Sequence, residues 1–150
     1  MKSKYALLAL SVLARAQGKG WMLISEISSA QRIPHKFLEL ILLELKNLGF
    51  LSSKKGRGGG YALARQASLI RVGEVVRCLE GPVAPLPCAT PRDPRPCDEC
   101  RDFSTCGLRM VMQQAGDAMS SVLDATTLAD VLSQEDAALE ARARDSSYHI

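Results

Sequence analysis

Between Pro34 and Ala64 the chain prescribes two kinds of local structure in succession, and together they limit the folds open to it. Phe37, Leu38, Ile41, Leu42, Leu45 and Leu48 recur at helical spacing behind Pro34, whose missing N–H costs nothing in a first helical turn, and Gly49 stops the run. Phe50-Leu51-Ser52-Ser53 then reads as a strand, Lys54 to Gly60 as a tight turn, and Tyr61-Ala62-Leu63-Ala64 as the returning strand. A shorter helix precedes the long one: Ser25 begins it with a weak Ser25-x-x-Ser28 cap, Ile24, Ile27 and Ala30 give it an apolar face, and the turn between the helices falls at Gln31 to Ile33. Helix, short turn, helix and hairpin in that order outline a winged helix-turn-helix, mainly α with a small β wing.

The first residues predict another apolar helix, over 3–16, closed by Gly18 and Gly20. Met1 to Gly18 also mimics a secretory signal, with a basic start and Ala14-Arg15-Ala16 in the A-x-A pattern. That reading is rejected because the apolar stretch Ala6 to Ala14 is short and closes on Arg15. The cysteines downstream also resemble a metal site more than a disulfide framework. No other segment approaches the ~18 apolar residues a membrane span needs, so a cytoplasmic protein with reduced thiols and no membrane partner is expected.

The overall charge of +3 conceals a division between the two halves. Residues 1–77 hold 13 Lys/Arg against 4 Asp/Glu, a net +9, and residues 78–150 hold 6 against 12, a net −6. Attraction to phosphate depends on local charge, so the first half suits double-stranded DNA and the second suits assembly or sensing. Lys54, Lys55 and Arg57 place three cations in the hairpin turn, and Gly58 and Gly59 permit close approach to another backbone. A nucleotide-phosphate loop is the alternative for this Gly-rich run, but no G-x-x-x-x-G-K-[ST] occurs and a hairpin follows where that loop requires a helix.

Four of the five cysteines, Cys88, Cys97, Cys100 and Cys106, fall in one Pro-, Arg- and Asp-rich loop with the order C-x8-C-x2-C-x5-C. Four thiolates can close a tetrahedral site for an iron-sulfur cluster or zinc without another ligand type. Structural zinc favours paired C-x2-C knuckles or a C-x2-C with two histidines; here only Cys97-x2-Cys100 is present, with His35 in the basic half and His149 in the tail. Unmetallated redox thiols remain open, as does a thiol-disulfide oxidoreductase, although no βαβ pattern surrounds the C-x2-C pair and Asp98 and Glu99 would raise its thiol pKa. Cys78, outside the loop on a helix over 72–79, reads as a small packing residue.

The run I-S-E-I-x5-I-P-x-K-F-L-E-x-I-L-x2-L-K-N-L-G-F-L-S-S-x2-G-R-G-G-G-Y-x-L-A-R from Ile24, followed by Ile70-Arg71-Val72-Gly73-Glu74-Val75-Val76 and Leu79-Glu80-Gly81, resembles the Rrf-two family of bacterial winged-helix regulators over roughly residues 1–130. The family includes regulators of iron-sulfur metabolism, nitric oxide sensing and cysteine metabolism. The resemblance implies a repressor-type, non-enzymatic homodimer whose long helix follows the cysteine loop. Leu108, Val111, Met112, Ala115, Met119 and Val122 give that helix an apolar stripe, for which packing on the protein's own domain is the simpler alternative. Iron-sulfur members ligate through C-x5-C-x5-C and a fourth ligand of another type. Cys100-x5-Cys106 keeps the second interval, but Pro94 stands six before Cys100 and Arg109 three after Cys106, so Cys97 and Cys88 become the replacement and extra ligands.

The expected organisation is a DNA-binding domain over 1–81, a sensor loop over 82–106, the dimer helix and a short helix, Leu128 to Leu132, within 107–132, and a tail over 133–150 that is solvated helix or disordered. In the DNA-binding domain, Pro34, His35 and Lys36 would face base edges with Glu39 one turn on. Lys55 and Arg57 would reach the minor groove or phosphates and Lys54 the backbone, with Ser25, Gly58, Gly59 and Tyr61 completing the surface.

Overall fold

A computed structural model describes residues 2–147, which form six α-helices and one small sheet. Helix α1 (Lys2–Arg15) runs through the middle, and its Ala6, Ala9, Leu10 and Leu13 are buried. It touches α2 (Ile24–Gln31), α3 (His35–Asn47), α4 (Val72–Glu80) and α6 (Leu128–Ser147). Leu38, Ile41, Leu42 and Leu45 of α3 meet it as the helical spacing predicts, and Phe50 and Ile70 close the core.

Local chemistry at the helix ends departs from expectation in one place. Helix α2 begins at Ile24 with Leu23 as its cap, because the Glu26 carboxylate accepts the Leu23 N–H at 2.6 Å; Ser25 lies exposed in the first turn. Ser28 serves the other end of the helix. Its hydroxyl donates to the Ile33 carbonyl at 2.6 Å and its carbonyl accepts the Ile33 N–H at 3.1 Å, fixing the turn in which Arg32 adopts φ 52°. Pro34 caps α3, and Gly49 at φ 80° ends it.

The wing pairs β1 (Leu51–Lys54) with β2 (Gly60–Leu63), Leu51 opposite Leu63 and Lys54 opposite Gly60. A bridge from a third segment was not foreseen: Met22 pairs with Tyr61 through N–H···O bonds of 2.9 and 2.7 Å, so the segment before α2 backs the wing. That close approach is why Gly60 must be glycine. It sits at φ 142°, and a Cβ there would collide with the Met22 carbonyl.

Helix α5 (Gly107–Ala125) is joined to the domain at its far end. Val72 N–H donates to the Thr126 carbonyl at 2.9 Å and Leu128 N–H to the Ile70 carbonyl at 2.8 Å, with Leu128 buried in the core. Arg77 forks onto the Asp124 carboxylate at 2.7 and 3.1 Å, and Arg71 donates to the Asp124 carbonyl at 2.8 Å. Thr127 then starts α6 by exchanging bonds with Asp130.

The expected short helix ending at Leu132 is corrected: α6 continues to Ser147. Its second half is rich in Ala, Glu and Arg, strong helix formers without an apolar period, and Arg15 of α1 clasps Glu135 and Asp136, each at 2.8 Å. His149 lies outside the described residues. Among the described residues no helix is long and apolar enough to cross a membrane.

Replacing Gly60 by Ala should destabilise the protein by about 1–3 kcal/mol, as expected for a strained backbone with an added steric conflict. Chemical denaturation measures this, and an unchanged midpoint would show that the Met22 rung does not constrain the wing.

Candidate functional site

The candidate residues form two groups, one on α3 and the wing and one in the cysteine loop at the amino end of α5. At the head, Pro34, His35, Lys36 and Glu39 are all exposed on the first turns of α3, and the His35 ring lies 3.4 Å from the Glu39 carboxylate. Lys54, Lys55 and Arg57 are exposed at the wing tip with no ion-pair partner among the described residues. The wing tip therefore presents uncompensated positive charge beside an exposed helix start that carries both Lys36 and Glu39. Gly58 is exposed at φ 72°, and Tyr61 is half-buried with its backbone bonded to Met22. Gly59 is a correction to the expected surface. It is buried, and a Cβ there would meet the Lys54 carbonyl, so its place is in shaping the turn.

In the second group, the loop over 82–106 brings the four thiols together around two adjoining clefts. Cys88 is buried in the 3₁₀ turn Pro87–Ala89. It lines an apolar cleft of about 320 Å³ with Leu86, Pro96, Cys97, Cys106 and Leu108. Cys97 and Cys106 also line the second cleft, of about 340 Å³, with Cys100, Glu99, Asp102 and Thr105. Cys100 N–H donates to the Cys97 carbonyl at 3.0 Å, which folds the C-x2-C into a tight turn. Desolvation pushes the Cys100 thiol pKa up, and the neighbouring Cys97, Cys106 and Cys88 thiols push the same way.

The donor set is therefore chemically suited to a soft metal centre, although no three potential ligands among the described residues stand together at metal-binding distance. Cys106 caps α5, where the positive end of the helix dipole favours a thiolate or an anionic group.

Two polar devices, neither expected from the sequence, hold this loop. The Asp102 carboxylate accepts the Ser104 hydroxyl at 2.6 Å and the Ser104 N–H at 2.8 Å, and these bonds, with others from Thr105, lower its pKa to about 2. Arg109, noted in the sequence only as a non-ligand, donates from Nε to the Cys88 carbonyl at 3.0 Å and lies over the Phe103 ring at 4.1 Å. One side chain of α5 thus ties both ends of the cysteine loop. Its sequence signal was an Arg in the first helical turn, where a cation opposes the dipole and needs a local reason.

Cys78 is exposed on α4, contrary to the packing role expected of it. It borders a separate cleft of about 370 Å³ with Arg77, Pro82, Val83 and Ser120, apart from the other thiols. Along α5, Leu108, Val111, Met119 and Val122 are between 52% and 66% exposed and Ala115 is exposed, while Met112 is half-buried. The face bearing Gly116 packs under the Val83 carbonyl, so the chain does not cover the stripe with its own domain.

Residues 1–134 match the Rrf2 family of iron-dependent transcriptional regulators. The chain belongs to that family. It is 39% identical to an rrf2-like HTH-type transcriptional regulator of Rhodobacter capsulatus over 134 residues, covering 87% of this chain and 89% of the relative. Among solved structures it resembles CymR, the global cysteine regulator of B. subtilis, with TM-score 0.73 and 28% identity over 89% of this chain and 95% of that one. It also resembles T. potens IscR, with TM-score 0.74 and 28% identity over 92% and 88%. This Rrf2 protein is thus a transcriptional regulator with a winged-helix fold, and its relatives are named as regulators rather than enzymes.

Arg109→Ala should release the Cys88 turn from α5. Amide exchange across residues 88–106 should become several-fold faster while global stability falls by no more than about 1.5 kcal/mol, the scale of one hydrogen bond. Unchanged exchange in that segment would remove Arg109 as the strut of the loop.

Proposed function

We propose that this protein is a homodimeric, sequence-specific DNA-binding regulator of repressor type whose operator affinity follows the state of an iron-sulfur cluster held by Cys88, Cys97, Cys100 and Cys106. Iron, redox stress or nitric oxide is the class of signal such a centre registers. The observation that carries the reading is the placement of the thiols: they gather at the amino end of α5, and the carboxyl end of the same helix is bonded to the DNA-binding domain through Arg77–Asp124 and the 70–72/126–128 pairing.

The family's description as iron-dependent and the resemblance to cluster-binding members support the cluster over zinc. When bound, the cluster supplies an electron-accepting, ligand-exchanging centre whose stability depends on its full thiolate set. This chain's own residues do the rest. Arg109 and Asp102 hold the loop in register with α5, and the uncovered stripe of Leu108, Val111, Ala115, Met119 and Val122 supplies the apolar face for a second copy.

In the dimer, α3 of each copy enters a major groove, with Lys36 and His35 at base edges and Lys54, Lys55 and Arg57 on the adjacent phosphates or minor groove. The operator is an imperfect palindrome with half-sites about one helical turn apart. Reordering of the loop tilts α5 and so changes the separation of the two heads.

The similarity to CymR favours a second reading in which the same thiols act without a cluster, as bare redox or sulfur-sensing groups. Replacing Cys97, Cys100 and Cys106 together by Ala separates the possibilities. The cluster reading expects a colourless protein, still dimeric by sedimentation, with operator affinity changed at least about fivefold from the coloured wild type. A wild type that is itself colourless but whose affinity shifts with thiol oxidation supports the second reading. Unaltered affinity of the triple variant under every redox condition makes the protein a constitutive DNA binder.

A further inference from the structure

The outward crest of α3 carries Lys36, Leu40 and Leu43, opposite the buried Leu38, Ile41, Leu42 and Leu45. Leu40 is 66% exposed and Leu43 51% exposed, so both present apolar surface to solvent. A single exposed leucine needs no explanation, but these two line up one turn apart on a helix that also exposes Lys36. Phe37 on the same helix is different, because its ring is engaged edge-on by Tyr5 at 5.3 Å and belongs to the packing with α1. Lys36 precedes Leu40 by one turn, the His35–Glu39 pair flanks it, and Lys54, Lys55 and Arg57 stand beside the helix on the wing.

An occupant of this surface must therefore be anionic around its edges and present an apolar group at its centre. Duplex DNA offers that combination in the major groove, where the C5-methyl of thymine is the apolar feature of the base edges and phosphates border the groove on both sides. An acidic protein partner would satisfy the charge, but an exposed helix following a short turn and flanked by a cation-bearing hairpin matches the way helix-turn-helix proteins seat their second helix in the major groove.

We infer that Leu40 is a specificity-determining residue that packs on a thymine methyl in each half-site, so that the protein selects its operator at that step by apolar contact with no hydrogen bond to the base. The inference rests on the reading of α3 as the helix that enters the major groove. Leu43, further from the helix start, extends the same apolar line away from the first base contacts.

The test first selects a preferred operator from random duplexes and then replaces its thymines by deoxyuridine in symmetric pairs, which removes one methyl per half-site and leaves base pairing intact. At one symmetric pair, wild-type affinity should fall about fourfold per half-site, the scale of one buried methyl, hence about fifteenfold for both. Leu40→Ala should bind the thymine and deoxyuridine operators equally at that pair, and since Leu40 lies outside the core this variant folds as wild type does.

A wild type indifferent to every thymine-to-deoxyuridine exchange overturns the inference while leaving the DNA reading intact. So does a Leu40→Ala protein that keeps the full methyl dependence. Selection that yields no preferred sequence overturns both, and binding of an acidic protein through the Leu40 face without any operator would identify the other class of partner.

Discussion

Burial of α1 on nearly every side is the constraint on which the rest of the structure depends. Its buried Ala6 and Ala9 present little bulk to the neighbouring helices, and Leu10 and Leu13 are buried in the same core. Burying four such side chains completely contributes several kcal/mol by area, a large share of the net stability of a domain this size. The consequence is mechanical as well as energetic. Helices α3, α4 and α6 all pack on the same rod, which ties the exposed face of α3 to the elements that bear α5.

Helix α5 extends that tie into a connection between sites. It has 19 residues, so at 1.5 Å per residue it spans about 28 Å from Cys106 to the Asp124–Arg77 pair. One end is held to the thiol loop by Arg109, and the other is held to the head by backbone bonds and a forked guanidinium–carboxylate contact. In the proposed mechanism, a change in loop order at one end would act on a lever whose far end is fixed to the domain. The uncovered apolar stripe lies along the whole lever, so a second copy docked there would carry the same displacement to its own head.

Much of this was legible in the sequence because it is local. The apolar period of α3, the stop at Gly49 and the glycine-rich wing turn each follow from neighbouring residues, and the structure places them within a residue or two of expectation. What escaped was set by contacts between distant segments. The Met22 rung is only one bridge long and leaves no periodic trace, and the capping of α2 by Glu26 in place of Ser25 depends on the reach of a carboxylate. The extension of α6 to Ser147 is supported by Arg15, 120 residues from Glu135, in a stretch without apolar period. The four cysteines were legible as a set, but the arrangement around two clefts sharing Cys97 and Cys106, and the bracing by Arg109, required the loop to be folded.

The most direct test of the account measures operator affinity on one anaerobic preparation before and after the metal centre is removed, with iron, acid-labile sulfide and visible absorbance determined on the same sample. The account predicts bound iron and sulfide, a visible absorption band that disappears on removal, and a change in operator affinity of at least about fivefold between the two states. Protein that binds the operator equally well with and without its iron, or that never takes up iron and sulfide under anaerobic loading, would contradict it.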